Sequence, residues 1–178
     1  MKEQSTPQPR EATTPVKLVA ADVLLSRKNQ IEKVIARRAY ELFKGHGSVN
    51  GHDVDDWIEA EVEVVRPYRH DLKESAEAIV FKAELPCSFT ADELNVSVEP
   101  RRLMVNGGRE LDVICGGNTP AHMEKRAQRI FGVEDLPVHV DPSRSTAKLK
   151  GDTLEIVMPR VAVDNKPNGK SKAASSGR

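Results

Sequence analysis

Residues 79–107 read IVFKAELPCSFTADELNVSVEPRRLMVNG, and the period of their apolar side chains decides the fold. Ile79, Phe81, Ala83 and Leu85 alternate with Val80, Lys82 and Glu84; Leu94, Val96 and Val98 alternate with Asn95 and Ser97; Leu103 and Val105 flank Met104. A period of two puts each set on one face of a strand. The separators carry turn chemistry (LPCS at 85–88, EPRR at 99–102, NGG at 106–108), so tight and mostly antiparallel connections are expected. The same period returns in Val138 and Val140 around His139, in Ala147 and Leu149 around Lys148, and in Leu154, Ile156 and Met158, with DPSRS and KGD between them. Short strands that each have one face to bury assemble as two facing layers. An antiparallel, immunoglobulin-like β-sandwich is the expected fold, in a mainly β protein.

Upstream the period changes to that of a helix. In IEKVIARRAYELF, Ile31, Val34, Ile35, Ala39 and Leu42 share a face; Asn29 with Glu32 has the spacing of a capping box, and Gly45 and Gly47 follow as stop signals. After GHGSVNGH, Asp53 is placed to cap a second helix in which Val54, Trp57, Ile58 and Val65 share a face before Pro67. Two short helices cannot cover each other's apolar surface, so the hairpin is expected to dock on another surface. The Pro-, Thr- and Gln-rich start and the closing DNKPNGKSKAASSGR, which has no apolar residue larger than alanine, lack the surface to offset ordering. The expected organisation is therefore a disordered N-terminus (1–22), a helical hairpin (23–67), a β-sandwich (72–163) and a disordered tail (164–178).

Composition excludes several classes of function. The 178 residues carry 27 Lys plus Arg against 27 Asp plus Glu, so no bulk field draws the chain to nucleic acid or an anionic membrane. Adjacent arginines in IARRAY and EPRRL come without a basic stripe or a platform of aromatics, which leaves nucleic-acid binding unsupported. MKEQSTPQPREATTP has no signal-peptide core, and VKLVAADVLL is short and interrupted by Asp22; a cytoplasmic protein without a membrane partner is expected. Cys87 and Cys115 match neither a disulfide framework nor a zinc pattern, so reduced thiols are expected. Cys87 has acidic neighbours in Glu84, Asp92 and Glu93 and no histidine beside it in sequence, so it reads as part of a strand corner and not as a nucleophile. His46, His52, Asp53, Asp55 and Asp56 invite a metal reading, but one loop feeding a helix N-terminus accounts for them. The glycine pairs in VNGG and ICGGN lack a phosphate-binding frame and read as turns. No cofactor, metal or catalytic group is expected, and the protein is read as a non-enzyme.

From Glu74 to Pro159 the sequence resembles the α-crystallin domain of small heat-shock proteins. The resemblance is carried in order by IVFKAELP with its corner Leu85-Pro86, by DELNVSVEPRRLMVNG, by Glu124 standing twelve residues before Leu136-Pro137, and by AKLKGDTLEIVMP with Leu154, Ile156 and Pro159. The hairpin IARRAYELFKGHGSVNGHDVDDWIEAEVEV resembles a small bacterial family of unknown function. The first resemblance implies an ATP-independent holdase that binds unfolding client proteins and limits their aggregation. The client groove it implies lies between Leu94, Val96 and Val98 on one strand and Ala147 and Leu149 on another. Tyr40, Phe43 and Trp57 of the hairpin are alternative client contacts, or else internal packing between hairpin and sandwich. The long segment 108–126 matches the family's exchanged loop and implies a homodimer, with larger oligomers open. Val161-Ala162-Val163 stands close to Pro159 where the family's apolar tail motif follows a spacer, and Gly151 precedes Asp152 where a glycine directly before Val-Leu is usual; both depart from the family pattern. A protein-binding adaptor or co-chaperone module with the same sandwich is the second reading.

Overall fold

The computed structural model describes residues 13–48, 51–115 and 122–161, with backbone alone at 112–115 and 122–125. Two strands, β1 (Thr13–Pro15) and β2 (Lys17–Leu18), precede helix α1 (Ala21–Gly45) and helix α2 (Asp53–Val64). Strands β3 (Arg69–Glu74), β4 (Ala78–Glu84), β5 (Leu94–Glu99), β6 (Arg102–Cys115), β7 (His122–Asp135), β8 (Thr146–Lys150) and β9 (Thr153–Pro159) come after the helices. Among the described residues they form one sheet in the order β1-β8-β9-β4-β3 and a second in the order β2-β5-β6-β7. Every pairing is antiparallel except β2 with β5. This is the expected immunoglobulin-like antiparallel β-sandwich, with two helices before most of its strands.

The period-two residues make its core. Ile79, Phe81, Ala83, Leu94, Val96, Leu103, Val105, Leu154, Ile156 and Met158 are buried between the layers. Phe81 lies opposite Ile156 and Ala83 opposite Leu154, while Val96 faces Val105 across β5 and β6. Such pairs bury β-branched and aromatic surface on the inner face and leave charge outside, as in the Lys82–Glu155 ion pair of 2.7 Å. At the side where β3 and β7 are the outermost strands, the layers are joined by His70, whose Nε2 lies 3.0 Å from Glu134 and whose ring stacks on Phe81 at 5.4 Å. Tyr68 closes that side. A Cβ on Gly132 would collide with the Tyr68 hydroxyl oxygen, so the tyrosine fits only over a glycine.

The hairpin docks on the outside of the second sheet. Leu103 and Val105 of β6 point into the sandwich, and Met104 between them, on the opposite face, is fully buried as well, along with Ser97 of β5, where α1 crosses those strands. Ile31, Ile35, Ala39 and Ala60 form a second small core that takes in Phe131 of β7.

Several elements differ from the sequence-based expectation. Thr13–Pro15 and Lys17–Leu18, within the stretch 1–22 read as disordered, form strands, because they find unpaired edges to join, while residues 1–12 lie outside the described residues. α1 starts at Ala21 after Ala20, without a side-chain cap, so Asn29 and Glu32 lie inside the helix and not at its start. Tertiary contact, with Leu24 almost fully buried, carries the extra turns in place of a capping box. α2 likewise begins after His52 without a side-chain cap, and Asp53 is its first helical residue. Val138 and Val140 make only an isolated bridge, Val140 with Arg160, since Pro137 and Pro142 bound them too closely for a strand. Arg69–Glu74, too polar to read as a strand, pairs along its whole length with β4. Of the segment 108–126, residues 108–115 and 122–126 continue the β6–β7 ladder, paired out to Cys115 and His122, and 116–121 lie outside the described residues.

Burial, and then the charge of Glu134, push the Tyr68 phenol up from the usual 10.0 to about 12. The unfolded phenol loses its proton near pH 10 while the folded one keeps it, so this contribution to stability is intact below pH 10 and is lost as pH rises through about 12. Urea midpoints should fall across that window, and Tyr68→Phe should flatten the fall; equal slopes in the two proteins would contradict the assignment.

Candidate protein-binding surfaces

The groove expected between β5 and β8 is filled by the chain itself. β5 and β8 would be the exposed edges of the two sheets on one side of the sandwich, each with a row of unpaired backbone groups. Residues 13–18 run across both. Thr13, Thr14 and Pro15 pair antiparallel with Lys150, Leu149 and Lys148, and Lys17 and Leu18 pair in parallel with Asn95 and Val96. At the crossing between sheets the Val16 N–H donates to the Ala147 carbonyl at 2.9 Å, and the Val19 N–H donates to the Val96 carbonyl at 2.8 Å. The Val16 side chain enters the sandwich core at 6% exposure. Leu94, Val96, Ala147 and Leu149 are buried in the sandwich core and Val98 is half-buried against it, and this strap pairs with the backbone of Val96, Ala147 and Leu149, so these residues do not line an open channel. The signal was present in VKL, where two apolar residues bracket a lysine, but a stretch this short has no period to read.

The residues that carry the family resemblance have structural places. Leu85, Leu136, Leu154 and Ile156 are in the core, Pro86 and Pro137 are exposed at turns, and Pro159 closes β9 opposite Ala78. Glu124 pairs with Val113 in the β6–β7 ladder. Around Cys87, which is half-buried against the core, the corner is held by a reciprocal Thr90–Glu93 capping box and by Arg109, which donates to the Ser88 carbonyl at 2.8 Å and lies over Phe89. The corner reading of this stretch stands on those contacts.

The hairpin presents the other surface. α2 turns Asp56, Ala60 and Val64 toward α1. Ala60, fully buried, lets the helices approach closely, and the His46 ring nitrogen Nδ1 lies 2.7 Å from Asp56 Oδ1. Arg38 of α1 bonds both Glu63 and Glu41, and its guanidinium holds the Glu63 carboxyl below the usual range. Of the expected apolar face of α2, Val54 (65% exposed), Trp57 (40%) and Ile58 (54%) therefore point outward, joined by Val62 (56%), whereas Val65 is half-buried against the hairpin core. On α1, Val34 is also exposed, and Tyr40 stands in solvent with its ring 6.4 Å from that of Phe43 and the Lys44 ammonium 4.8 Å above it. Tyr40 and Phe43 are thus brought together, with Trp57 on the outward face of the neighbouring helix. His52 lies 3.6 Å from Asp55, and among the described residues no group of three His, Cys, Asp or Glu is arranged to hold a metal. No helix among the described residues is long and apolar enough to cross a membrane.

The chain is similar to known proteins of two kinds. The family described as "Protein of unknown function (DUF2934)" matches residues 30–65, which cover most of the hairpin. The 17.6 kDa class I heat shock protein of Solanum peruvianum is 31% identical over 104 residues, spanning 58% of this chain and 66% of that protein. Among solved structures, the Del-C4 mutant of hsp14.1 from Sulfolobus solfataricus P2 aligns at 25% identity over 57% of this chain and 80% of that one, with a TM-score of 0.44. HspA from Xanthomonas axonopodis aligns at 25% identity over 52% and 92%, with a TM-score of 0.40. The chain is homologous to small heat-shock proteins, and residues 30–65, in the hairpin, match the DUF2934 family.

Val16→Asp should free the strap without unfolding the sandwich. Losing the burial of one valine costs roughly 2 kcal/mol. Trypsin cleavage after Lys17 should then run about 30-fold faster than in the parent protein, because cleavage tracks the local opening equilibrium. An unchanged rate would mean that the strap is not held by Val16.

Proposed function

We propose that the protein is a cytoplasmic, ATP-independent holdase that binds unfolding proteins and limits their aggregation, with the outward face of α2 as its main client contact. The observation that supports this most is the row of Val54, Ile58 and Val62 beside Trp57, all large apolar side chains at least 40% exposed on one helix. Exposed apolar surface of this kind is what capture of a partly unfolded chain needs. Homology to small heat-shock proteins supports the same reading. The β5–β8 groove contributes to client binding only when the strap leaves it.

A homodimer built through the segment 108–126 is part of the proposal. β5 pairs with β6 only as far as Gly107, so beyond it residues 108–115 have no strand on their other edge among the described residues. An open edge of that length can pair with a second copy. The second reading, an adaptor or co-chaperone module, draws support from the same sandwich fold, while the length of the segment 108–126 speaks against it.

Light scattering from a heat-labile enzyme tests the choice. With the protein present at near-stoichiometric ratio and no nucleotide, aggregation should be suppressed, and Ile58→Asp should remove more than half of the suppression while leaving the thermal midpoint within a few degrees. No suppression by a protein of monomeric native mass would favour the adaptor.

A further inference from the structure

The outward face of α2 combines two features that together specify a partner. Val54, Ile58 and Val62 stand four residues apart and form a continuous ridge. The helix also carries six carboxylates in twelve residues and no basic side chain. Asp56 is buried and answered by His46, and Glu63, although exposed, is paired with Arg38. The remaining acids are exposed, and on the 100° step of a helix Asp55 and Glu59 run along one side of the ridge and Glu61 along the other. An apolar ridge between acidic rows rejects some occupants and favours others. A second α2 would bring carboxylates against carboxylates, which is destabilising. The chain's own last residues, 164–178, carry Lys166, Lys170, Lys172 and Arg178 but no apolar side chain larger than alanine to cover the ridge.

We propose that this face takes cationic apolar segments of other proteins, in which Lys or Arg flank a row of Leu, Ile, Val or Phe. This deepens the holdase reading by naming the chemistry of the captured segment, and it rests on α2 being the contact surface. Burial of the ridge supplies affinity, while the acidic rows select sign and speed the encounter.

Trp57 is the chain's single tryptophan and lies at the margin of the ridge, so its emission reports occupancy directly. Full-length protein is titrated with two fourteen-residue amphipathic peptides that share the same leucines, one with lysine and one with glutamate at every polar position. The lysine peptide should give a saturable blue shift, and the glutamate peptide at least ten-fold weaker binding. Raising salt from 0.1 to 1 M, which shortens the screening length from about 10 to about 3 Å, should weaken the lysine peptide by a similar factor. Glu59→Lys with Glu61→Lys, both at exposed positions, should reverse the preference. Equal responses to the two peptides, no response to either, or an unchanged preference in the double variant would overturn the proposal. The outcome is separable from that of the holdase reading. If the lysine peptide binds and aggregation is not suppressed, the chaperone reading fails and the acidic ridge stands; if aggregation is suppressed and the peptides are not distinguished, the reverse holds.

Discussion

Two β-layers with a common open side require something to close them, and here a six-residue segment does so by joining both sheets at once. Thr13–Pro15 completes the edge of one sheet, Lys17–Leu18 that of the other, and Val16 between them fills the seam. The opposite side is closed differently, by Tyr68 over Gly132 and His70 beside Glu134. The strap's position also sets the course of the helices. Because it leaves the sandwich along β5, α1 begins at Ala21 next to that strand and crosses the outer face of β5 and β6, burying Met104 and Leu24. The hairpin is thereby set on the second sheet, with Phe131 of β7 in its core.

That placement explains why α2 is turned inside out. The seam between the helices accepts Ala60, whose small side chain permits close packing, and accepts Asp56 because His46 lies within hydrogen-bond distance. The other carboxylate oxygen of Asp56 is buried without a partner, which costs about 1–3 kcal/mol. A helix that buries a carboxylate and exposes tryptophan, isoleucine and two valines gives up stability in the isolated chain. The arrangement makes sense where those residues meet another protein, and it moves the candidate binding surface from the sandwich groove to the hairpin.

The sandwich was legible because its code is local. Ile79, Phe81 and Ala83 alternate without interruption, and LP and EP turns separate the strands at the right intervals; the NGG at 106–108, which reads as a turn, instead lies inside β6, paired with residues 129–131 of β7. The resemblance to the α-crystallin domain rested on the same residues, and most of its apolar positions are core positions. The parts that could not be read depend on contacts distant in sequence. A two-residue strand such as Lys17–Leu18 has no period, and it is ordered only by the edge it meets. Arg69–Glu74 is polar because it is itself an outermost strand, so it has little to bury. For α2 the shared face of Val54, Trp57 and Ile58 was legible, but not whether it faces inward or outward, and Val65, read on the same face, packs against the hairpin core. The orientation is set by contacts distant in sequence, the packing of Ala60, Val64 and Val65 against α1 together with the pairing of Asp56 with His46 and of Glu63 with Arg38.

The central claim is that the β5–β8 side is shut by the chain's own strap, leaving the hairpin as the free apolar surface. Amide hydrogen exchange at Val16 and Val19 tests it most directly, since both N–H groups donate across the seam to Ala147 and Val96. Both should exchange on the order of a thousand-fold more slowly than unstructured amides, close to the rates of β8 itself. Exchange at unprotected rates, with the amides of β4 and β9 still protected, would mean an intact sandwich with an open groove, and would contradict the account.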